Sequence, residues 1–289
     1  MRFVATLLFW LITTAALAVA VPTMWAQHTI VDRNGYSAFA ASAAKDPNLQ
    51  QAMAAELTSQ LVMLAANSGF DVNENLFSGA ATAYTRSSAF PGQFALANQL
   101  VHRYMFTEAV QQTDSSGRWQ LDLSPMLSDS SFKQTLQDFG IQPPSTLTIP
   151  LTENVSESLR PGQLRQATKW GPWVSVGSAI VAGVFALLTI AAAKKRGKAL
   201  AALGVSALLV GASGWAAIEV LRGRINQGLD ATNGDIRQLA AAMVDHAIGS
   251  LHFWLNLTLA AGAGLVLLGV LAAMLGGLGR RRVIEPVER

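Results

Sequence analysis

Four histidines, no cysteine and a scatter of acids and serines make up the reactive side chains of this 289-residue chain. His28, His102, His246 and His252 stand singly, and none has a second ligand at the spacing a zinc site uses. The absence of cysteine excludes disulfides, thiol nucleophiles and thiolate-held metals. His102 with Asp114 or Asp122 and one of the many serines could compose a hydrolytic triad. A structural histidine is the stronger reading of a lone imidazole, because no G-x-S-x-G turn accompanies it. There is no Walker A loop, and no G-x-G-x-x-G lies between a strand and a helix. The glycines at Gly276, Gly277 and Gly279 end an apolar helix and cradle no phosphate. Asn154-Val155-Ser156 matches a glycosylation sequon, which carries meaning only in a eukaryotic secretory setting. The residues thus imply neither an enzyme nor a resident cofactor or metal.

The elements that must position these residues are mostly apolar. Hydrophobic residues make up 51% of the chain and charged ones 13%, against roughly 25% charged in average soluble domains. Residues 173–193 and 199–218 contain no charge, and each is about the ~20 residues a helix needs to cross ~30 Å of hydrocarbon. Lys194, Lys195, Arg196 and Lys198 lie between them and mark a cytoplasmic turn under the positive-inside rule. Residues 3–21 form a further apolar run behind Arg2 and before Pro22. Its length favours a retained anchor over a signal peptide, although Ala18 and Ala20 would suit a cleavage site. A last run covers about 252–278 and ends at Arg280, Arg281 and Arg282. The expectation is four spans in the plasma (inner) membrane with both termini cytoplasmic. The net charge of +3 and a pI near 9.4 come from these span-end cations, so nucleic acid is not an expected partner and the bilayer is.

The order along the chain is then an anchor (1–22), an extracytoplasmic domain (23–169) and a transmembrane hairpin (170–221). An extracytoplasmic amphipathic helix (222–251), a span (252–279) and a basic tail (280–289) follow. The domain is expected to be α+β. Asp46-Pro47 reads as a helix N-cap with proline at N1. Leu49, Met53, Leu57, Leu61 and Leu64 form the stripe of that helix, and Asn67-Ser68-Gly69 its stop. Further helices are expected over 74–85 and from Pro91 through Phe94, Ala97, Val101 and Met105. The period then changes. Residues 109–113, a turn at 114–117 and 118–123 read as a β-hairpin, with Trp119, Leu121 and Leu123 on one face. A short helix around 130–139 and an edge strand over 145–151, limited by Pro150, complete the domain.

Beyond the domain, Ile236, Leu239, Met243, Val244, Ile248 and Leu251 form an apolar stripe over 232–250. Asp235, Arg237, Gln238, Asp245 and His246 take the opposite face. With one Arg and no aromatic in the stripe, this helix should pack on protein and not lie on lipid. Within the spans, Ser175, Ala179 and Gly183, and again Gly269, Ala273 and Gly277, recur every four residues, a spacing that lets helices approach closely. Glu219 sits at a span end, within reach of Arg222 or Arg224, and Asn256 is placed for an interhelical hydrogen bond. No acid or base lies in mid-span, which argues against proton-coupled transport.

Trp25, Val31-Asp32-Arg33, Lys45-Asp46-Pro47, Leu49-Gln50-Gln51-Ala52 and Leu57-Thr58 follow a W…VLDTD…LADDPxVQxAL…LT order. That order, with residues 90–102 and 121–127, resembles an actinobacterial family of four-span envelope proteins of unknown function. This chain has Phe94 where the family often carries Trp. More distantly, the chain resembles the accessory, lipid-uptake-coordinator type subunit of mycobacterial Mce-type lipid importers. The resemblance implies a non-enzymatic accessory subunit of an envelope lipid-transport complex, with a transporter permease and periplasmic subunits as partners. A stand-alone extracytoplasmic ligand-binding or sensing protein is the alternative. A membrane-bound hydrolase is the third and weakest reading.

Overall fold

The computed structural model describes residues 2–67, 74–107, 120–122, 134, 148–150, 162–229 and 235–281. Its helices are α1 (Arg2–Ala26), continued by a π turn (Gln27–Val31), α2 (Arg33–Ala43), α3 (Pro47–Asn67), α4 (Glu74–Thr85) and α5 (Phe90–Phe106). Three long helices follow, α6 (Arg165–Ala192), α7 (Arg196–Leu229) and α8 (Asp235–Arg281). Four stretches are long and apolar enough to cross a membrane: Arg2–Val31, Arg165–Ala192, Arg196–Gln227 and Ile236–Leu275. That is consistent with a multi-pass membrane protein.

The chain divides into two compact units. The first comprises Met1–Gln27, Trp170–Arg222 and Ile248–Arg289. It holds α1, most of α6 and of α7, and the larger part of α8. In it α7 and α8 run antiparallel, because Gly197 meets Gly269 and Ala273, Gly204 meets Gly262 and Val266, and Gly211 meets Leu255 and Leu259. Glycine recurs every seven residues on α7, and Leu255, Gly262 and Gly269 recur every seven on α8. A seven-residue repeat keeps one face of a helix against its neighbour over many turns, and here that face is made of small residues. A Cβ on Gly204 would come 2.6 Å from the Gly262 carbonyl oxygen and 2.6 Å from the Val266 nitrogen. These backbones therefore approach as closely as a missing side chain allows.

The second unit comprises His28–Lys169 and Gly223–Ala247. Here the expectation of an α+β domain is overturned. The described chain of this unit is helical, apart from Gln120–Asp122 paired antiparallel with Thr148–Pro150 (Leu121 opposite Ile149). Three residues a side form no sheet that a core could pack on. The expected partner of the 118–123 strand, residues 109–113, lies outside the described residues, as do the short helix over 130–139 (Gln134 apart), Asp114 and the sequon. The alternation that suggested a β layer covered too few residues to bury a face. The core is instead assembled from helices.

That core, among the described residues, is alanine-rich. Ala40, Ala43, Ala44, Leu49, Tyr84 and Phe90 are fully buried, with α3 packed on α4 and α2 on α5. Small side chains let the helices close on the few large ones. Tyr84 meets Phe90 edge to face, with ring centres 5.7 Å apart, and Phe90 packs on Phe94. The helix starts are capped from the sequence. Asp32 accepts a hydrogen bond from the Gly35 amide (2.7 Å), and Asp46 from the Asn48 amide (2.8 Å). Gly35 is required, since a Cβ there would overlap the carbonyl oxygen of His28. Gly162, at φ 67°, donates to the Tyr104 carbonyl oxygen, and Leu164 donates to that of Met105, so residues 162–164 close the end of α5.

The start of α8 belongs to this unit, where Leu239, Ala242 and Met243 pack against the core. No break separates the expected amphipathic helix from the last span: the two are one 47-residue helix. His246, expected on the polar face, packs against Phe39 with ring centres 5.3 Å apart.

Candidate functional site

His102 is the histidine of the triad that the sequence could compose, and in the structure it is packed between helices. It lies in α5 with 7% of its surface exposed. Its Nε2 is 3.1 Å from the carbonyl oxygens of both Ile30 and Val31. Two acceptors can share that nitrogen only if it carries the proton, so the ring donates to the last two carbonyls of the π turn. The ring stacks on Phe106, with centres 4.3 Å apart, and packs against Tyr36 at 4.9 Å. Burial lowers the pKa of His102. The hydrogen bonds to Ile30 and Val31 oppose that shift, Arg33 adds to it and Asp32 counters it. Burial also raises the Tyr36 phenol.

The same seam between α2 and α5 is laced with polar contacts. The Tyr36 hydroxyl donates to Asn98 Oδ1 (3.2 Å), Asn98 Nδ2 to the Phe94 carbonyl oxygen (2.9 Å) and Gln99 Nε2 to Ser37 Oγ (2.8 Å). The bonds from Tyr36 to Asn98 and from Gln99 to Ser37 fix the register of the two helices. Among the described residues no group of three or more His, Asp or Glu could hold a metal ion.

The membrane-length helices carry the remaining expected residues. Gly269 and Ala273 do lie against α7, at Gly197 and Ala201. Gly277 is in α8, but its surroundings lie outside the described side chains. The α6 set is not one surface: Ser175 is buried with its hydroxyl bonded to the Pro172 carbonyl oxygen, Ala179 is half-buried, and Gly183 has nothing within 4 Å of where a Cβ would stand. Asn256 Oδ1 accepts a hydrogen bond from Trp215 Nε1 at 3.2 Å, joining α7 to α8. Beside it Trp215 lies flat on His252, with ring centres 3.6 Å apart. Glu219 is exposed on α7, as are Arg222 and Arg224. Lys194 and Lys195 fall in the turn after α6, Arg196 and Lys198 in the first turn of α7, and all four are exposed. Arg280 and Arg281 form the end of α8, and Arg282 is outside the described residues.

Two features were not read from the sequence. The glycines of α7 recur every seven residues, a period distinct from the four-residue spacing of small residues on α6 and α8. The second feature ties α1 to α7: Trp10 Nε1 donates to the Ala202 carbonyl oxygen (2.8 Å), and the Thr14 and Ser206 hydroxyls are hydrogen-bonded at 2.8 Å. Thr13 and Ser206 are both buried. Ser206 sits midway along an apolar run, and a buried hydroxyl there costs free energy unless it finds a partner.

No family model, no curated protein and no solved structure matches this chain.

Proposed function

We propose that this chain is a non-enzymatic accessory subunit of a cell-envelope lipid-transport complex, of the Mce-type import class that its sequence resembles. It acts by packing its spans against a transporter permease and its second unit against extracytoplasmic subunits. On this reading it is a multi-pass protein of the plasma (inner) membrane with both termini in the cytoplasm. The cation clusters at Lys194–Lys198 and at Arg280, Arg281 and Arg282 support that orientation.

The observation that carries the proposal is the close packing of large side chains among small ones in the described core of the second unit. Leu49, Tyr84 and Phe90 are fully buried among alanines. A receptor for a small ligand would need apolar wall residues facing a space of several hundred Å³. The use of His102 Nε2 as a donor to two backbone carbonyls also fits a structural domain better than a hydrolase. The test is a tagged full-length protein, cross-linked in its native membrane, solubilised and purified, with mass spectrometry of what accompanies it. The expected result is a permease and extracytoplasmic subunits of one transporter in near-stoichiometric amount. Recovery of the protein alone, with a small molecule retained by the second unit, would overturn the accessory reading in favour of a binding module.

A further inference from the structure

In the first unit, the N-terminal turns of α1, the end of α6 and the start of α7 enclose an open cleft of about 720 Å³. Arg2, Lys194, Lys195 and Lys198 line it, and no acidic residue does. Its apolar wall is made by Phe3, Leu7 and Trp10 of α1, facing Ala199 and Ala202 of α7. The neutral polar side chains of the lining are already engaged. Thr6 donates to the Arg2 carbonyl oxygen (2.9 Å), Thr189 to that of Phe185 (2.7 Å) and Trp10 to that of Ala202 (2.8 Å).

We propose that this cleft binds one anionic membrane phospholipid, with the phosphate among the four cations and the upper acyl chain along Phe3, Leu7 and Trp10. Three considerations select that occupant. Like charges gathered at one cleft repel one another, and none of the four cations forms an ion pair among the described residues, so an anion relieves a standing electrostatic cost. The first turn of α7 contributes Lys198 and Ala199 to the lining, and the positive end of a helix adds to the attraction. The wall of Phe3 and Leu7 belongs to a helix long and apolar enough to span a membrane, so acyl chains are its natural cover; a soluble anion would satisfy only the cations, and a zwitterionic lipid only the wall. Only an amphiphile with net negative charge meets both demands. Topology signals need no such wall, so the cleft is more than a span-end charge cluster. The binding does not depend on the accessory-subunit reading, since the purified chain would hold the lipid without any partner.

The test is native mass spectrometry of the purified full-length protein, incubated with equal amounts of phosphatidylglycerol and phosphatidylcholine of the same chains. One phosphatidylglycerol should be retained, with at least about a tenfold preference. Excess inorganic phosphate should not displace it. The triple variant Lys194→Gln/Lys195→Gln/Lys198→Gln should lose the preference, and with it any rise in melting temperature on adding phosphatidylglycerol. The variant Arg196→Gln/Arg280→Gln/Arg281→Gln removes as many charges without altering a described residue of the cleft, and should keep both. Equal retention of the two lipids, or displacement by phosphate, would overturn the proposal. So would equal behaviour of the two triple variants, whether both bind or both fail.

Discussion

His102 donates through Nε2 to two carbonyl oxygens and carries an aromatic ring on either side. Its replacement therefore separates structure from chemistry. His102→Phe keeps the stack and leaves the Ile30 and Val31 carbonyls without their donor, which should cost about 1–3 kcal/mol of stability. His102→Gln, which retains a donor, should cost less. The pH dependence follows from the direction of the shift. Burial lowers the folded pKa, so the unfolded chain takes up the proton first. The contribution of the neutral ring is present above the unfolded value of about 6.5 and is lost as the pH falls through the lower, folded value. Chemical denaturation of the purified protein at a series of pH values should thus show wild type losing stability on acidification more steeply than His102→Phe. Parallel curves would mean that the ring is protonated equally in both states.

Among the elements, the α7–α8 pair makes the sharpest demand on residue type. A side chain on Gly204 would strike the backbone of Gly262 and Val266, and backbone cannot swing aside as a long side chain can. Gly183 on α6 has open space in the same direction. Gly204→Leu should therefore lower the melting temperature in detergent by several degrees, a cost of at least 1–3 kcal/mol or about that of overpacking a core. Gly183→Leu should leave it within about a degree, because an open helix surface absorbs a leucine at little cost. Similar losses in both variants would show that the α6 surface is also packed on protein. The contrast explains why small-residue spacing alone was a poor guide. Four-residue spacing found Gly269 and Ala273, which do meet α7, and also Gly183, which meets nothing. The seven-residue recurrence of Gly197, Gly204 and Gly211 marks the contact along its length.

For the whole molecule, the proposed orientation places Gly197 and the end of the chain in the cytoplasm and residues 115–116 outside. A reporter that is active only in the cytoplasm should work when inserted at Gly197 or fused after Arg289, and should be silent between Ser115 and Ser116. A periplasm-active reporter should give the reverse. An outside signal at Gly197 would invert every span and remove the cytoplasmic setting from the accessory-subunit proposal.

The sequence by itself determined the four apolar helices, because spanning length, freedom from charge and flanking cations are local properties that composition along the chain reveals. It also determined the capped start at Asp46-Pro47, where the chemistry of the cap lies within three residues, and the helix start near Pro91, where proline suits the first turn. Only the tertiary structure decided the class of the second unit. Alternation over 118–123 is a local pattern, whereas a sheet needs partners far along the chain, and the described strand pairing stops after three residues. Only the tertiary structure assigned His102 its carbonyl partners some seventy residues away, joined Thr14 to Ser206, and brought Arg2 beside Lys194, Lys195 and Lys198 at one cleft. Each of these joins residues from helices far apart in the chain, and which faces meet is set by the packing of whole helices.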